Sequence, residues 1–348
     1  MGMDQHSQVE LGLDTREHAD FTKYAVAVDM GATRIRFVLA NARGEILGES
    51  REFLHAESGP RGVVSQIANG IARLIPAGQP HDCLCGIAIG VPGGVDPKTG
   101  KVLDANNIPG WREVDMGREL EEEFHAPVYL DNDANMAAIG EHWRGVARGV
   151  NDFVFIALGT GIGAGIFLDG RIRRGRTGFA GELFRMNLDW NRWNEEFPDT
   201  GYLESYVSGV GIAAAGRKLS VDGNGNQAST LAESRDARYV FEALHRGDAK
   251  ARTLVENCFL MLGVATANFV SILDPELIVF NGGIVQGAPD MLLQIVEKVV
   301  RRIHPRPPRI ELSTLGDKAQ IWGAIETLLR PQEQGAIRVG GISSIQNK

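Results

Sequence analysis

An apolar strand, a glycine turn and a second apolar strand occur in that order twice in this chain, and the repeat constrains its architecture more than any other feature. Tyr24-Ala-Val-Ala-Val-Asp29 enters the turn Met30-Gly31-Ala32-Thr33-Arg34, and Ile35 to Ala40 is apolar again. A third strand, Ile46 to about Phe53, follows the turn Asn41 to Gly44, so the start reads as an antiparallel meander. The layout recurs at Phe153-Val-Phe-Ile-Ala-Leu158, with the turn Gly159-Thr160-Gly161-Ile162-Gly163-Ala164-Gly165 and a further apolar run from Ile166 to Leu168. Between and after these hairpins, strands at 85–91, 128–130, 277–280 and 309–315 alternate with helical periodicity at 62–75, 115–124, 134–145, 205–219, 249–273, 291–303 and 319–329. The class is α/β.

The turns carry the first chemistry. Gly31 and Thr33 can present backbone N–H groups and a hydroxyl to a phosphate, while Asp29 at the strand end can hold magnesium, through water. The plainer reading is an ordinary hairpin, and the motif alone does not decide. The turn at Gly159, Thr160 and Gly161 opens a strand rather than a helix, which excludes a dinucleotide fingerprint and leaves a phosphate-cradling hairpin. Asn281-Gly282-Gly283 is a third close-approach turn, suited to packing against an adenosine moiety.

Val128-Tyr-Leu-Asp131-Asn132-Asp133 supplies the candidate for catalysis. In open α/β sheets ligands bind beyond the carboxyl ends of strands, where a base must stand to reach them, and Asp133 is the candidate base. Against this, Asp131, Asn132 and Asp133 also suit a turn that caps the following helix. Asn106 and Asn107 precede Pro109-Gly110 and can read sugar hydroxyls, since each amide both donates and accepts, or serve as turn residues. Glu182 and Glu204 can likewise accept from hydroxyls, or act as surface and cap residues. Arg171, Arg173, Arg174 and Arg176 read as a solvated edge.

Composition narrows the partner. The net charge of -8 disfavours a surface built to neutralise nucleic-acid phosphates, and a small molecule fits better. No run approaches the roughly 18 apolar residues of a bilayer span, so no membrane partner is expected. Cys83, Cys85 and Cys258 make neither a disulfide framework nor a four-ligand zinc set, which points to a reducing cytoplasm. Residues 1–23 read as a loose tail without a signal peptide, and 331–348 as a flexible one.

Asp29-Met-Gly-Ala-Thr-Arg34, Gly90-Val-Pro-Gly93, Asn107-Ile-Pro-Gly-Trp111, Asp131-Asn-Asp-Ala-Asn135, Leu158-Gly-Thr-Gly-Ile-Gly163 and Gly181-Glu182 occur in this order, and with them the chain resembles the ROK family of sugar kinases and repressors, in the actin-like ATPase superfamily. The resemblance implies two ribonuclease-H-like domains with an inter-domain cleft. The small domain is placed at 24–133 plus about 317–330, and the large one at 134–316. It implies ATP and Mg2+ as cofactors and a sugar as partner, with Asp133 as general base toward a hexose hydroxyl, glucose O6 in a glucokinase. Asn107, Asn132, Glu182 and Glu204 fall where the family binds sugar. Gly31, Thr33, Arg34, Gly159, Thr160, Gly161, Gly282 and Gly283 fall on the nucleotide side. A homodimer is expected, as in related kinases.

Two departures bear on this. The family commonly has Glu-x-Gly-His and then a cysteine-rich zinc motif, but here Glu182-Leu-Phe-Arg185 lacks the His and residues 194–204 lack cysteine, so no structural zinc is expected. Trp190, Trp193 and Phe197 are expected to buttress that loop instead. Arg185 suits an anionic sugar, because a guanidinium fork matches a carboxylate or phosphate, or else it turns to solvent. Ala32 replaces a usual glycine and is strained if its φ is positive. The rival readings are a sugar-binding protein with weak or no kinase activity, a kinase for a non-glucose or anionic sugar, and a repressor. Against the last, only about 23 residues precede Tyr24, too few for a helix-turn-helix domain.

Overall fold

The computed structural model describes residues 23–76, 83–105, 108–196, 200–219, 236–331, 333 and 335–339. Two compact units emerge from its contacts, one of residues 1–144, 171–180 and 318–348, the other of 145–170 and 181–317.

The first unit is built on a six-stranded sheet. Its strands β1 (Tyr24–Met30), β2 (Arg34–Asn41) and β3 (Ile46–Phe53) form the expected antiparallel meander, with Met30 opposite Ile35 at the first turn. Next, helix α1 (Gly59–Leu74) leads to β4 (Leu84–Val91), which lies parallel to β1. A small ribbon, β5 (Val102–Asp104) with β6 (Arg112–Val114), precedes helix α2 (Met116–Phe124), and β7 (Val128–Asn132) then pairs parallel with β4. Because β1 and β4 are almost wholly buried, they read as apolar runs rather than as alternating ones. Phe37 and Ile67 lie at the centre of the core, where Gly70 lets α1 approach the Phe37 ring. Each such side chain contributes roughly 1.5–3 kcal/mol on burial.

Helix α3 (Asp133–Arg144) also belongs to this unit, so the division falls after Arg144 rather than at Asp133. The cause is its packing on helix α10 (Ala319–Leu329), where two glycines cross: a Cβ on Gly323 would stand 1.6 Å from the Met136 carbonyl, and one on Gly140 2.0 Å from that of Ala319.

The second unit opens with β8 (Phe153–Leu158) and β9 (Ile162–Leu168), antiparallel, and β10 (Arg171–Ile172) follows in the chain as part of the first unit. Strand β9 begins at Ile162, earlier than expected, and the glycine turn shrinks to residues 159–161. Helix α4 (Glu204–Val207) is separate from α5 (Gly209–Leu219), because Ser208 at ψ 169 interrupts what reads as one helix. Then come α6 (Ala237–His245), α7 (Ala249–Leu273), β11 (Leu277–Asn281), α8 (Gly283–Gly287), α9 (Pro289–Ile303) and β12 (Arg309–Leu312). Strand β11 is parallel to both β8 and β12, so an antiparallel hairpin again leads into parallel strands. By length and composition α7 could cross a membrane, yet Val255, Phe259, Leu262 and Phe269 on it are buried in the core of this unit.

One expectation fails at the carboxy-terminal end. The sequence predicts a flexible segment from 331, but β13 (Ile337–Arg338) pairs antiparallel with β7, and Ile337 and Val339 are buried. Two apolar side chains in a polar stretch leave no periodic signal, and the edge of β7 supplies the missing partner. Residues 340–348 lie outside the described residues, as do 1–22.

Candidate active site

Strand β7 delivers three consecutive polar residues to its carboxyl end, and each has a separate task. Asn132 caps α3: its Oδ1 accepts from the Ala134 amide at 2.9 Å and the Asn135 amide at 3.4 Å, and its Nδ2 donates to the Gly93 carbonyl at 3.1 Å. The capping alternative is therefore satisfied by Asn132. Asp133 opens α3, partly covered, and its Oδ1 accepts from the Ala134 amide at 2.7 Å. Burial raises its carboxyl to about 6, with the Ala134 amide acting in the opposite direction.

Asp131 is buried and fully engaged. Its Oδ1 accepts from the Asn132 amide at 2.9 Å and from Asn135 Nδ2 at 2.8 Å, and its Oδ2 receives Arg174 Nε at 2.8 Å and Nη2 at 2.7 Å. Arg174 is not part of a solvated edge, because its side chain is only 11% exposed. A buried carboxylate needs a partner, and the sequence does not show which of four neighbouring arginines supplies it. Gly93, at φ +106, leaves no room for a side chain, since a Cβ would stand 2.1 Å from the Asp104 carbonyl. Asn107 lies outside the described residues.

At the β1–β2 turn the Gly31 amide donates to the Arg34 carbonyl at 2.9 Å and Thr33 is exposed. The Arg34 guanidinium stands 5.1 Å from the centre of the Phe53 ring, a contact between neighbouring strands that no local pattern signals. Ala32 does not adopt a positive φ, so the expected strain is absent. Asp29 is partly exposed near the end of β1.

In the second unit the turn at Gly159, Thr160 and Gly161 is backed by the segment that starts α5. The Gly209 amide donates to the Gly159 carbonyl at 2.8 Å, and the Val210 amide to that of Thr160 at 3.3 Å. Glu204, expected on the sugar side, accepts from the Ile162 amide at 2.9 Å and so borders this turn; burial raises its carboxyl. Gly282 (φ +121) abuts the same place, as a Cβ there would meet the Leu158 carbonyl at 2.2 Å. By contrast, the Cβ positions of Gly159 and Gly283 face open space.

Glu182 is partly buried and precedes a short 3-10 turn at Leu183–Arg185. Arg185 is exposed, its guanidinium 4.9 Å from the centre of the Phe184 ring. Trp190 and Trp193 are 82% and 80% exposed and do not buttress their loop as expected, while Phe197 lies outside the described residues. Polar turns hold that loop instead, with the Asn191 amide donating to Asp189 and Arg192 paired with Glu195. Among the described residues no group of three His, Cys, Asp or Glu side chains could hold a metal ion.

Meanders leading into parallel strands, each with a glycine turn at the first hairpin, define the actin-like ATPase fold. The model described as the ROK family matches residues 25–330, and the chain belongs to that family. A glucokinase of Halalkalibacterium halodurans is 32% identical over 321 residues, 86% of this chain and 93% of its own. A xylose repressor of Caldicellulosiruptor bescii is 27% identical over 87% of this chain and 77% of its own. Among solved structures, a ROK family glucokinase of Streptomyces griseus in complex with glucose and AMPPNP matches with TM-score 0.72 at 27% identity, over 87% of this chain and 98% of that one.

Proposed function

We propose that this ROK protein is an ATP-dependent sugar kinase, transferring the γ-phosphoryl group to a hexose hydroxyl, with glucose O6 the favoured acceptor. The observation that carries the reading is the placement of Asp133 at the carboxyl end of β7, as the first residue of α3, where burial raises its carboxyl to about 6. Such a group is ionised at neutral pH, yet basic enough to take a proton. Support also comes from the glucokinases of similar length.

In this reading Asp133 accepts the proton of the sugar hydroxyl as its oxygen bonds to the γ-phosphorus and the bond to ADP breaks. Asn107, Asn132 and Glu182 hold the sugar, while Glu204 shapes the Gly159–Gly161 turn through the Ile162 amide. Arg185, exposed and stacked on Phe184, is left out of that set. The backbone amides of Gly31, Gly159 and Gly161 with the Thr33 and Thr160 hydroxyls receive phosphates, Arg34 adds positive charge, and Gly282 and Gly283 take the adenosine. The open space at Gly159 and Gly283 fits a close approach of nucleotide to backbone. Asp29 would be the residue to hold magnesium, and when bound the ion would supply charge neutralisation at the transferring group. What the residues contribute is position and proton transfer.

A coupled ADP-release assay with ATP, magnesium and a panel of glucose, mannose, fructose, allose, N-acetylated hexosamines and uronic acids tests it. Turnover of glucose is expected. Silence across the panel would overturn the kinase reading, and preference for a uronic acid would move the acceptor away from neutral hexoses.

A further inference from the structure

Ten residues, 171–180, belong to the first unit although the chain on both sides of them belongs to the second. This excursion holds the first unit at three points. Gly178, at φ +82, lies so close to Val95 that a Cβ would meet its carbonyl at 2.0 Å; the Phe179 ring fills the space a side chain on Gly94 would need; and Arg174 forks onto Asp131. The first two points are on the 93–95 loop and the third is on β7. Those two pieces are themselves joined by the hydrogen bond from Asn132 to the Gly93 carbonyl. The second oxygen of Asp131 binds Asn132 and Asn135, which flank Asp133 in the chain.

We propose that Arg174 is a positioning residue: its Nε and Nη2, both donating to Oδ2 of Asp131, set the geometry of the Asn132–Asn135 turn and thereby aim the Asp133 carboxyl at the acceptor hydroxyl. The functional half of this statement rests on the kinase reading. Stability alone is a weak reason for the pair, because desolvating both ions offsets most of what their attraction returns. Geometry is a stronger one, because Arg174 holds Oδ2 with two donors while the Asn132 amide and Asn135 hold Oδ1, so the carboxylate is fixed in orientation as well as in place.

Three variants test it. Arg174→Lys keeps the charge but loses the fork, Arg174→Gln combined with Asp131→Asn leaves no unpaired ion if Arg174→Lys does not fold, and Arg176→Ala is the exposed control on the same segment. Melting temperature, kcat, KM for ATP and amide hydrogen exchange are read for each. In the first two variants kcat is expected to fall about tenfold to a hundredfold, while KM for ATP stays within about twofold. Exchange at Ala134 and Asn135 quickens, with the amides of β1 and β4 unchanged, and Arg176→Ala behaves as wild type. Unchanged kcat in both variants, or exchange that quickens uniformly through the unit, overturns the proposal. If the wild type turns over no sugar, the kinase reading fails by itself, and the exchange pattern still decides whether Arg174 orders the turn.

Discussion

The Glu204 carboxylate accepts the Ile162 amide at 2.9 Å and stands 2.5 Å from where a side chain on Gly161 would begin. The glycine turn of the second unit is thus shaped by a residue 42 positions later in the chain. Gly161→Ala should displace that carboxylate and loosen the turn. The expected result is a rise of about tenfold in KM for ATP, the equivalent of one charged hydrogen bond of about 1.5 kcal/mol. Isothermal titration with a non-hydrolysable ATP analogue checks it.

Asp133 makes two pH-dependent predictions. As a base it must be ionised, so kcat/KM rises with pH and levels off above about 6. Its stability effect has the opposite sense, because the raised pKa means that the folded state keeps a proton the unfolded chain gives up. The contribution is fully present below the ordinary value of 3.8 and is lost as pH rises through about 6. Asp133→Asn should therefore be more stable than wild type at neutral and higher pH, by at most about 3 kcal/mol, with the gain vanishing in acid below 3.8. Urea unfolding across this range measures it.

Gly323→Ala tests the crossing of α3 and α10. A Cβ would stand 1.6 Å from a backbone carbonyl, which no rotamer change relieves, so the helices must move apart. We expect a loss of about 3 kcal/mol and a fall in melting temperature of roughly 6–12 °C.

Elements with a strong local pattern are the ones the sequence displays. The buried runs of β1 and β8 and the unbroken apolar periodicity of α7 and α10 depend on their own residues, and their bounds are read almost to the residue. The candidate base at the end of β7 is legible for the same reason, since a strand ending in carboxylates is a local feature. Arg174 is not legible, because what distinguishes it from Arg171, Arg173 and Arg176 is a partner 43 residues away. Strand β13 is hidden likewise, since it exists through pairing with β7. The resemblance places Glu204 with the sugar, and only its bond to the Ile162 amide shows that it borders the Gly159–Gly161 turn.

Removing residues 336–348 should cost the first unit stability despite the weak pattern of that stretch. The Val339 side chain fills the space over Gly117 and Gly100, and Ile337 covers the edge of β7. Loss of these two buried side chains predicts about 3–6 kcal/mol of destabilisation, at about 1.5–3 kcal/mol for each. Denaturant unfolding of the truncated chain checks it.

Arg185→Ala should leave glucose turnover and KM unaltered, since the side chain is exposed and lies over the Phe184 ring. Its effect on stability should not exceed about 1 kcal/mol, the worth of an exposed cation–π contact. Steady-state kinetics beside a uronic acid would show at once whether the residue selects for charge.

The central claim is that Asp133 takes the acceptor proton during phosphoryl transfer. Its most direct test is the sugar-dependent rate of ADP release for wild type and Asp133→Asn, with sugar phosphate followed in parallel by phosphorus NMR. The account predicts sugar phosphate from the wild type and a loss of at least about a hundredfold in the variant, with binding of the ATP analogue retained. Equal rates of sugar phosphate formation by the two proteins would contradict it.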